Sequence, residues 1–259
     1  MSTYVMADIH GHFDEFRQML EKICFSSDDE LILAGDYVDR GPQTLEMLRW
    51  IENAPENVLV LKGNHDVEFA ECISIMAAYC NKLELDGEDA IDTQTLYKAL
   101  KMIPDIQAAY FDYYGTIESL VMEKAVTLRE LKHWAVLLKE MPYIYKRTID
   151  RKRYIMVHAG YLEDESISRS ELEQFYIYAR DEAYSEGGVP GTTIIAGHTP
   201  TVIEGMPMYT GGYVYKHYDE RKNCTFFDID CGCGYKGSAR FKNCRLACIR
   251  LEDEEVFYI

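Results

Sequence analysis

The chain has 259 residues, 47% hydrophobic and 27% charged, and its 27 Lys and Arg against 44 Asp and Glu leave a formal net charge of −17. This length carries a full hydrophobic core, and the composition excludes disorder, collagen and coiled coil as the main organisation. The charge repels phosphate backbones and anionic lipid, and the longest basic run is Arg151-Lys152-Arg153, so neither nucleic acid nor a membrane is an expected partner.

The first third repeats one unit: an apolar run that reads as a strand, a turn rich in Gly, Asp and His, then an amphipathic helix. Thr3 to Ala7 is the first run and Asp8-Ile9-His10-Gly11-His12 its turn, with Phe13, Phe16, Met19, Leu20 and Ile23 at helical spacing beyond it. Leu31 to Ala34 is the second run, with the turn Gly35 to Gly41; Pro42 suits the first turn of a helix carrying Leu45, Leu48 and Ile51. Val58 to Leu61 is the third, with the turn Lys62-Gly63-Asn64-His65-Asp66. His10 to Asp36 is 26 residues and Asp36 to Asn64 is 28. Those lengths fit successive βαβ units and a parallel core, whose strand ends share one edge.

Val67 to Met141 reads as mainly helical, an insertion of about 67–141 within a single domain spanning 1–259; its clearest helix runs from Leu128 to Met141. The insertion either packs beside the sheet or walls the site, where Glu68, Glu71, Glu84, Asp86, Glu88 and Asp89 would form a negative surface that repels polyanions. Strands resume at Tyr154 to Val157, ending in His158-Ala159-Gly160, and an acidic helix covers Ser170 to Tyr184. Thr192 to Ala196 ends in Gly197-His198-Thr199-Pro200, and the remainder is β-rich: Tyr213 to Tyr218, Phe226 to Asp230, and Leu246 onward.

Four of the seven histidines, His10, His65, His158 and His198, follow predicted strands, and Asp8, Asp36, Asp39 and Asn64 occupy the same turns. Brought to one sheet edge, they make a carboxylate, imidazole and carboxamide cluster. That donor mix suits Mn, Fe or Zn better than Ca or Mg, because imidazole prefers transition metals.

Asp8-x-His10-Gly11, Gly35-Asp36-x-x-Asp39-Arg40-Gly41, Gly63-Asn64-His65-Asp66, His158-Ala159-Gly160 and Gly197-His198-Thr199 together resemble the calcineurin-like metallophosphoesterases. The Gly-Asp-x-Val-Asp-Arg-Gly form narrows the resemblance to the phosphoprotein phosphatase (PPP) family of serine/threonine phosphatases, of the bacterial and phage type. The resemblance implies an α/β fold, a central β-sandwich flanked by helices. It implies two divalent ions, most readily Mn, with Asp8 and His10 on the first, Asp36 bridging, and Asn64, His158 and His198 on the second. An anionic bridge offsets repulsion between two dications, and a water shared by them is acidified to an attacking hydroxide. Asp39 and His65 resemble the paired general acid, and Arg40 and Arg180 the two phosphate-gripping arginines. Ala7 and Asp66 stand where the family usually has Gly and Glu; neither is expected to ligate metal.

The leading expectation is a metal-dependent phosphomonoester hydrolase acting on phosphoserine or phosphothreonine proteins or a small phosphoester. The alternative is symmetric cleavage of diadenosine tetraphosphate. A third reading is a non-catalytic metal-binding scaffold for phosphoproteins, for which the Asp39–His65 pair would have no use. The N-terminus has no signal-peptide pattern, so the eight cysteines are expected as reduced thiols in the cytoplasm. Five of them crowd the C-terminal quarter as C-x6-C-x-C-x10-C-x3-C, where only the last pair approximates a structural-zinc knuckle, so thiols on strands are expected ahead of a zinc site.

Overall fold

The computed structural model describes residues 1–82, 91–103 and 111–259. The three predicted units form β1 (Thr3–Met6), α1 (Phe13–Lys22), β2 (Glu30–Ala34), α2 (Thr44–Glu52) and β3 (Val58–Leu61), with all three strands parallel. The last strands, β9 (Ala247–Arg250) and β10 (Val256–Tyr258), complete this sheet antiparallel, in the order β10-β9-β1-β2-β3. A second sheet has the order β4-β5-β6-β8-β7, built from β4 (Ile144–Ile149), β5 (Lys152–Val157), β6 (Thr192–Ala196), β7 (Tyr215–Asp219) and β8 (Cys224–Asp228). Its inner strands β5, β6 and β8 are parallel and its edges antiparallel.

Strand residues alternate between faces, and each face is buried. Val5, Ile32 and Ile249 of the first sheet meet Met156, Ile195 and Phe227 of the second, which makes the sandwich core. Met6, Leu31 and Leu33 point the other way, onto Phe16, Met19, Met47 and Leu48 of the helices. Ile155, Ile194 and Phe226 face Ala179 and Ala183 on the outer side of the second sheet. Double coverage explains why these strands read as unbroken apolar runs rather than alternating ones.

After β3 come α3 (Asn64–Lys82), α4 (Thr93–Lys101), α5 (Phe111–Met122) and α6 (Leu128–Glu140). Thr127 and Glu130 close a capping box at the start of α6, satisfying two otherwise orphaned backbone donors. The described helices of this stretch share one core with α1, α2, β1 and β2, and Trp134 donates to Glu52 at 3.2 Å, so they pack beside the sheet, while Thr116 of α5 also reaches Asp39. Glu84, Asp86, Glu88 and Asp89 lie outside the described residues.

Two expectations are corrected. Ile144–Ile149 was not anticipated as a strand. It is an edge strand whose Lys146, Arg147 and Thr148 hide its apolar side. The helix expected over Ser170 to Tyr184 is two, α7 (Arg169–Tyr178) and α8 (Glu182–Ser185), and the break between them carries Arg180. No helix among the described residues is long and apolar enough to cross a membrane.

Tyr37 locks the turn after β2. Its buried hydroxyl accepts from the Gly35 N–H at 2.9 Å and lies 2.7 and 2.6 Å from the Leu33 and Leu61 carbonyls, which share its one proton. Tyr37→Phe removes these bonds from a buried site, so urea unfolding should show a loss of roughly 1–3 kcal/mol. Unchanged stability would mean that the backbone repairs the bonds by itself.

Candidate active site

Parallel strands deliver their C-terminal turns to one edge of each sheet, and the sandwich sets the two edges side by side. Asp8 and His10 follow β1; Asp36, Asp39 and Arg40 follow β2; Asn64 and His65 open α3; His158 follows β5 and His198 follows β6. The backbone is strained at this edge. Asp8, His10, Asp36, Asp39, Arg40 and His198 have φ of 55°, 47°, 58°, 72°, 68° and 75°, the left-handed region that costs an L-residue of order 1–3 kcal/mol. Asp and His are among the types that tolerate it best. Two glycines permit the close approach: a Cβ on Gly63 would sit 2.1 Å from Asp36 Oδ1, and one on Gly197 would sit 1.9 Å from Asp8 Oδ2.

Asp36 is central. Its Oδ2 lies 3.5 Å from His10 Nε2 and 3.4 Å from His158 Nε2, and its Oδ1 accepts from the His65 N–H at 2.9 Å. Burial opposes its ionisation, but His158, His65 and His10 hold its pKa well below the usual carboxylate range. Asn64 Oδ1 stands 3.1 Å from His158 Nε2 and 3.0 Å from His198 Nδ1. Two groups of donors could each hold a cation: His10, Asp36 and His65, and Asp36, His158 and His198.

The hydrogen bonds behind these rings test whether a metal fits. His158 Nδ1 lies 3.0 Å from the Ala34 carbonyl and must donate to it. In the neutral ring the Nε2 lone pair then faces two acceptors, Asp36 Oδ2 and Asn64 Oδ1, which is repulsive unless a positive charge lies among them. Without a metal that charge can only be a proton; burial lowers the His158 pKa, yet Asp36 raises it above the usual histidine value. His10 Nδ1 is held the same way by the Val38 carbonyl at 3.0 Å, and burial and Arg40 push its pKa well down, so the ring is neutral and its Nε2 lone pair is available. The donor set fits a transition-metal cation. Asp8 departs from the expected pattern. Both its oxygens accept from the His198 N–H, at 3.2 and 3.1 Å, and His65 rather than Asp8 falls in the first donor group.

The two residues expected as an acid pair are in contact. His65 Nδ1 lies 3.1 Å from Asp39 Oδ2, and Thr116 of α5 donates to Asp39 Oδ1 at 2.6 Å. Burial works against Asp39, but these two bonds bring its pKa down to about 2. Arg40 donates to both His10 Nε2 and His65 Nε2 at 3.0 Å, with its guanidinium 4.8 Å from the Tyr235 ring. Arg180 lines the same cavity, of about 90 Å3, and its buried Nη1 has no hydrogen-bond partner among the described residues. Asp66 accepts from the backbone N–H groups of Asp36, Tyr37 and Gly63 at 2.8, 3.0 and 2.9 Å, clamping two of the turns together. Burial and Asp36 raise its pKa to about 6.

Sequence reasoning missed Thr116, which lies inside the helical insertion without a motif. It also missed Tyr235, and Asp228 and Asp230, fully buried beside Asp8, whose charge helps raise the Asp8 pKa well above normal after burial. The run Asp228-Ile229-Asp230 after an apolar strand was the available signal for the last two.

The symmetrical bis(5'-nucleosyl)-tetraphosphatase of Vibrio campbellii is 50% identical over 68 residues, 26% of this chain and 25% of that protein. The enzyme of the same name from Glaesserella parasuis is 35% identical over 108 residues, 40% of each. The chain thus spans between a quarter and two-fifths of these curated relatives. The crystal structure of a proposed diadenosine tetraphosphatase shares the fold, at 15% identity and a TM-score of 0.56, over 99% of this chain and 92% of that one. A metallophosphoesterase from Sphaerobacter thermophilus does so at 16% identity and 0.50, over 100% and 86%. A family profile described as calcineurin-like phosphoesterase matches residues 1–230, and the chain belongs to that family.

Proposed function

We propose that the chain is a two-metal phosphoester hydrolase that cleaves a dinucleoside tetraphosphate symmetrically. One observation carries the hydrolytic reading: His65, backed by Asp39, and Arg40 converge with the Asp36-centred imidazoles on one small cavity. The relatives' names support the substrate, the alternative rather than the leading reading of the sequence. Bound to Asp8, His10, Asp36, Asn64, His158 and His198, two divalent ions, Mn foremost, would supply charge neutralisation and an acidified water.

The chain's own residues supply the rest. Asp39 fixes the His65 ring by accepting from Nδ1 and supports the imidazolium, so that Nε2, once it has taken up a proton from solvent, can pass that proton to the departing oxygen. Arg40 now occupies that Nε2, and gripping a phosphate oxygen would free the histidine to act. Arg180, with a free buried donor, is placed to hold a second oxygen. Arg180→Ala should raise KM roughly tenfold with a smaller loss in kcat, read from initial rates on p-nitrophenyl phosphate. Wild-type values for both would exclude Arg180 from substrate binding.

A phosphoserine or phosphothreonine protein is the second reading. It is favoured by Glu68, which accepts from the Tyr178 hydroxyl, while the Tyr178 ring lies 6.3 Å from that of His198. A carboxylate there would attract basic flanks and repel polyanions. The deciding test is a panel assay of the Mn-loaded protein on diadenosine tetraphosphate, phosphoserine, phosphothreonine and phosphotyrosine peptides, and p-nitrophenyl phosphate. The proposal expects the highest kcat/KM for the dinucleotide, with ADP as sole product. Faster cleavage of a basic-flanked phosphopeptide promotes the second reading, and turnover of none overturns both.

A further inference from the structure

The 90 Å3 cavity holds a phosphoryl group and little else, so whatever the phosphoryl is attached to must lie outside it. Next to it is a larger cavity of about 540 Å3, within the range of small-molecule sites. Ile203 lines both. Tyr209, Arg240, Phe241, Lys242 and Asn243 line the larger one. We infer that this second cavity is a nucleotide subsite, taking an aromatic base with its attached phosphate.

The charge pattern argues for an anion. In a chain of net charge −17, residues 231–251 contain Lys236, Arg240, Lys242, Arg245 and Arg250 and no acidic residue. Lys236 pairs with Glu15 at 3.1 Å and Arg250 with Asp253 and Glu255. Arg240 and Lys242 have exposed side chains and enter no ion pair among the described residues, and one carboxylate, Glu204, faces them across the lining. The ring pattern argues for a base. Tyr209 is 49% exposed, and Phe241 is half-buried with Arg240 5.1 Å above its ring. Exposed aromatic faces beside arginine stack nucleobases without needing a particular one. Phe241 also sits 4.9 Å from Tyr235, whose ring carries Arg40, so aromatic contacts run unbroken from this cavity to the phosphate-gripping arginine. A different cavity of about 240 Å3 beside Asp39 and Thr116 has no aromatic wall, and its two cations are engaged, Arg40 with His10 and His65 and Lys124 with Glu46.

The inference deepens the proposed function by naming which surface holds one nucleotide of the substrate, and it is testable apart from it. ADP and inorganic phosphate would each be measured as inhibitors of p-nitrophenyl phosphate hydrolysis, in the wild type and in the Arg240→Ala/Lys242→Ala double variant. Phosphate probes the catalytic cavity alone. In the wild type ADP should inhibit at least tenfold more tightly than phosphate, with the advantage shrinking as salt rises. The double variant should lose most of that advantage while its phosphate inhibition, turnover and melting temperature stay at wild type. Titration calorimetry of ADP into both proteins should show the same loss, independent of any turnover. ADP no tighter than phosphate, or an advantage that survives the double variant, overturns the subsite. A subsite that passes while diadenosine tetraphosphate is not cleaved leaves it standing and removes the dinucleotide reading alone.

Discussion

Asp36→Asn should reduce bound metal from two ions per chain to one or fewer and lower kcat/KM by about 10³ or more, because it removes the charge between two clusters of imidazoles. The substitution keeps the shape. Asn can still accept the His65 N–H that now reaches Asp36 Oδ1 at 2.9 Å, so the turn should stay folded. What disappears is the carboxylate within 3.5 Å of both His10 and His158. Elemental analysis gives the ion count. Melting with and without Mn gives an independent reading, since a ligand that binds only the folded state raises its stability. The Mn-induced rise should vanish in the variant. Two bound ions and a wild-type rate would dismiss the bridging role.

The second large effect is chemical rather than structural. His65→Asn should lower kcat by roughly 10²–10⁴, the loss expected for a missing general acid. The loss should depend on the leaving group: modest for p-nitrophenyl phosphate, whose phenolate departs unaided, and large for an alkyl phosphate. Equal losses for both would show that His65 acts by holding the site together, through its place beside Asp36 and its edge contact with the His10 ring at 4.7 Å.

Much of this site was readable before any coordinates. Its residues sit in short turns directly after apolar runs, where strand direction alone decides that they meet. Position along the chain was enough for His10, Asp36, Asn64, His158 and His198. Thr116 was not readable, because a lone threonine in a helix carries no pattern and its partner Asp39 is 77 residues away. Arg180 was named from its place between motifs, but only the break between α7 and α8 shows why it points inward. The edge strand β4 escaped because its polar Lys146, Arg147 and Thr148 dilute the apolar signal. Asp66, a departure from the expected Glu, turned out to serve backbone donors on two turns, which no spacing rule expresses.

The strand order has a consequence for how the protein is made. β1, which leads into Asp8 and His10, lies between β2 and β9, and its register with β9 joins Tyr4 to Arg250. A ribosome releasing the chain from its N-terminal side therefore leaves one edge of β1 exposed while everything between β1 and β9 is made. Until residues 247–250 emerge, that edge is an open template for strand pairing with any neighbour. Contacts this distant in sequence also close slowly. Nascent chains stalled short of β9 should be caught by chaperones and cut readily by protease, and the turn holding Asp8 and His10 should become protected only when β9 arrives.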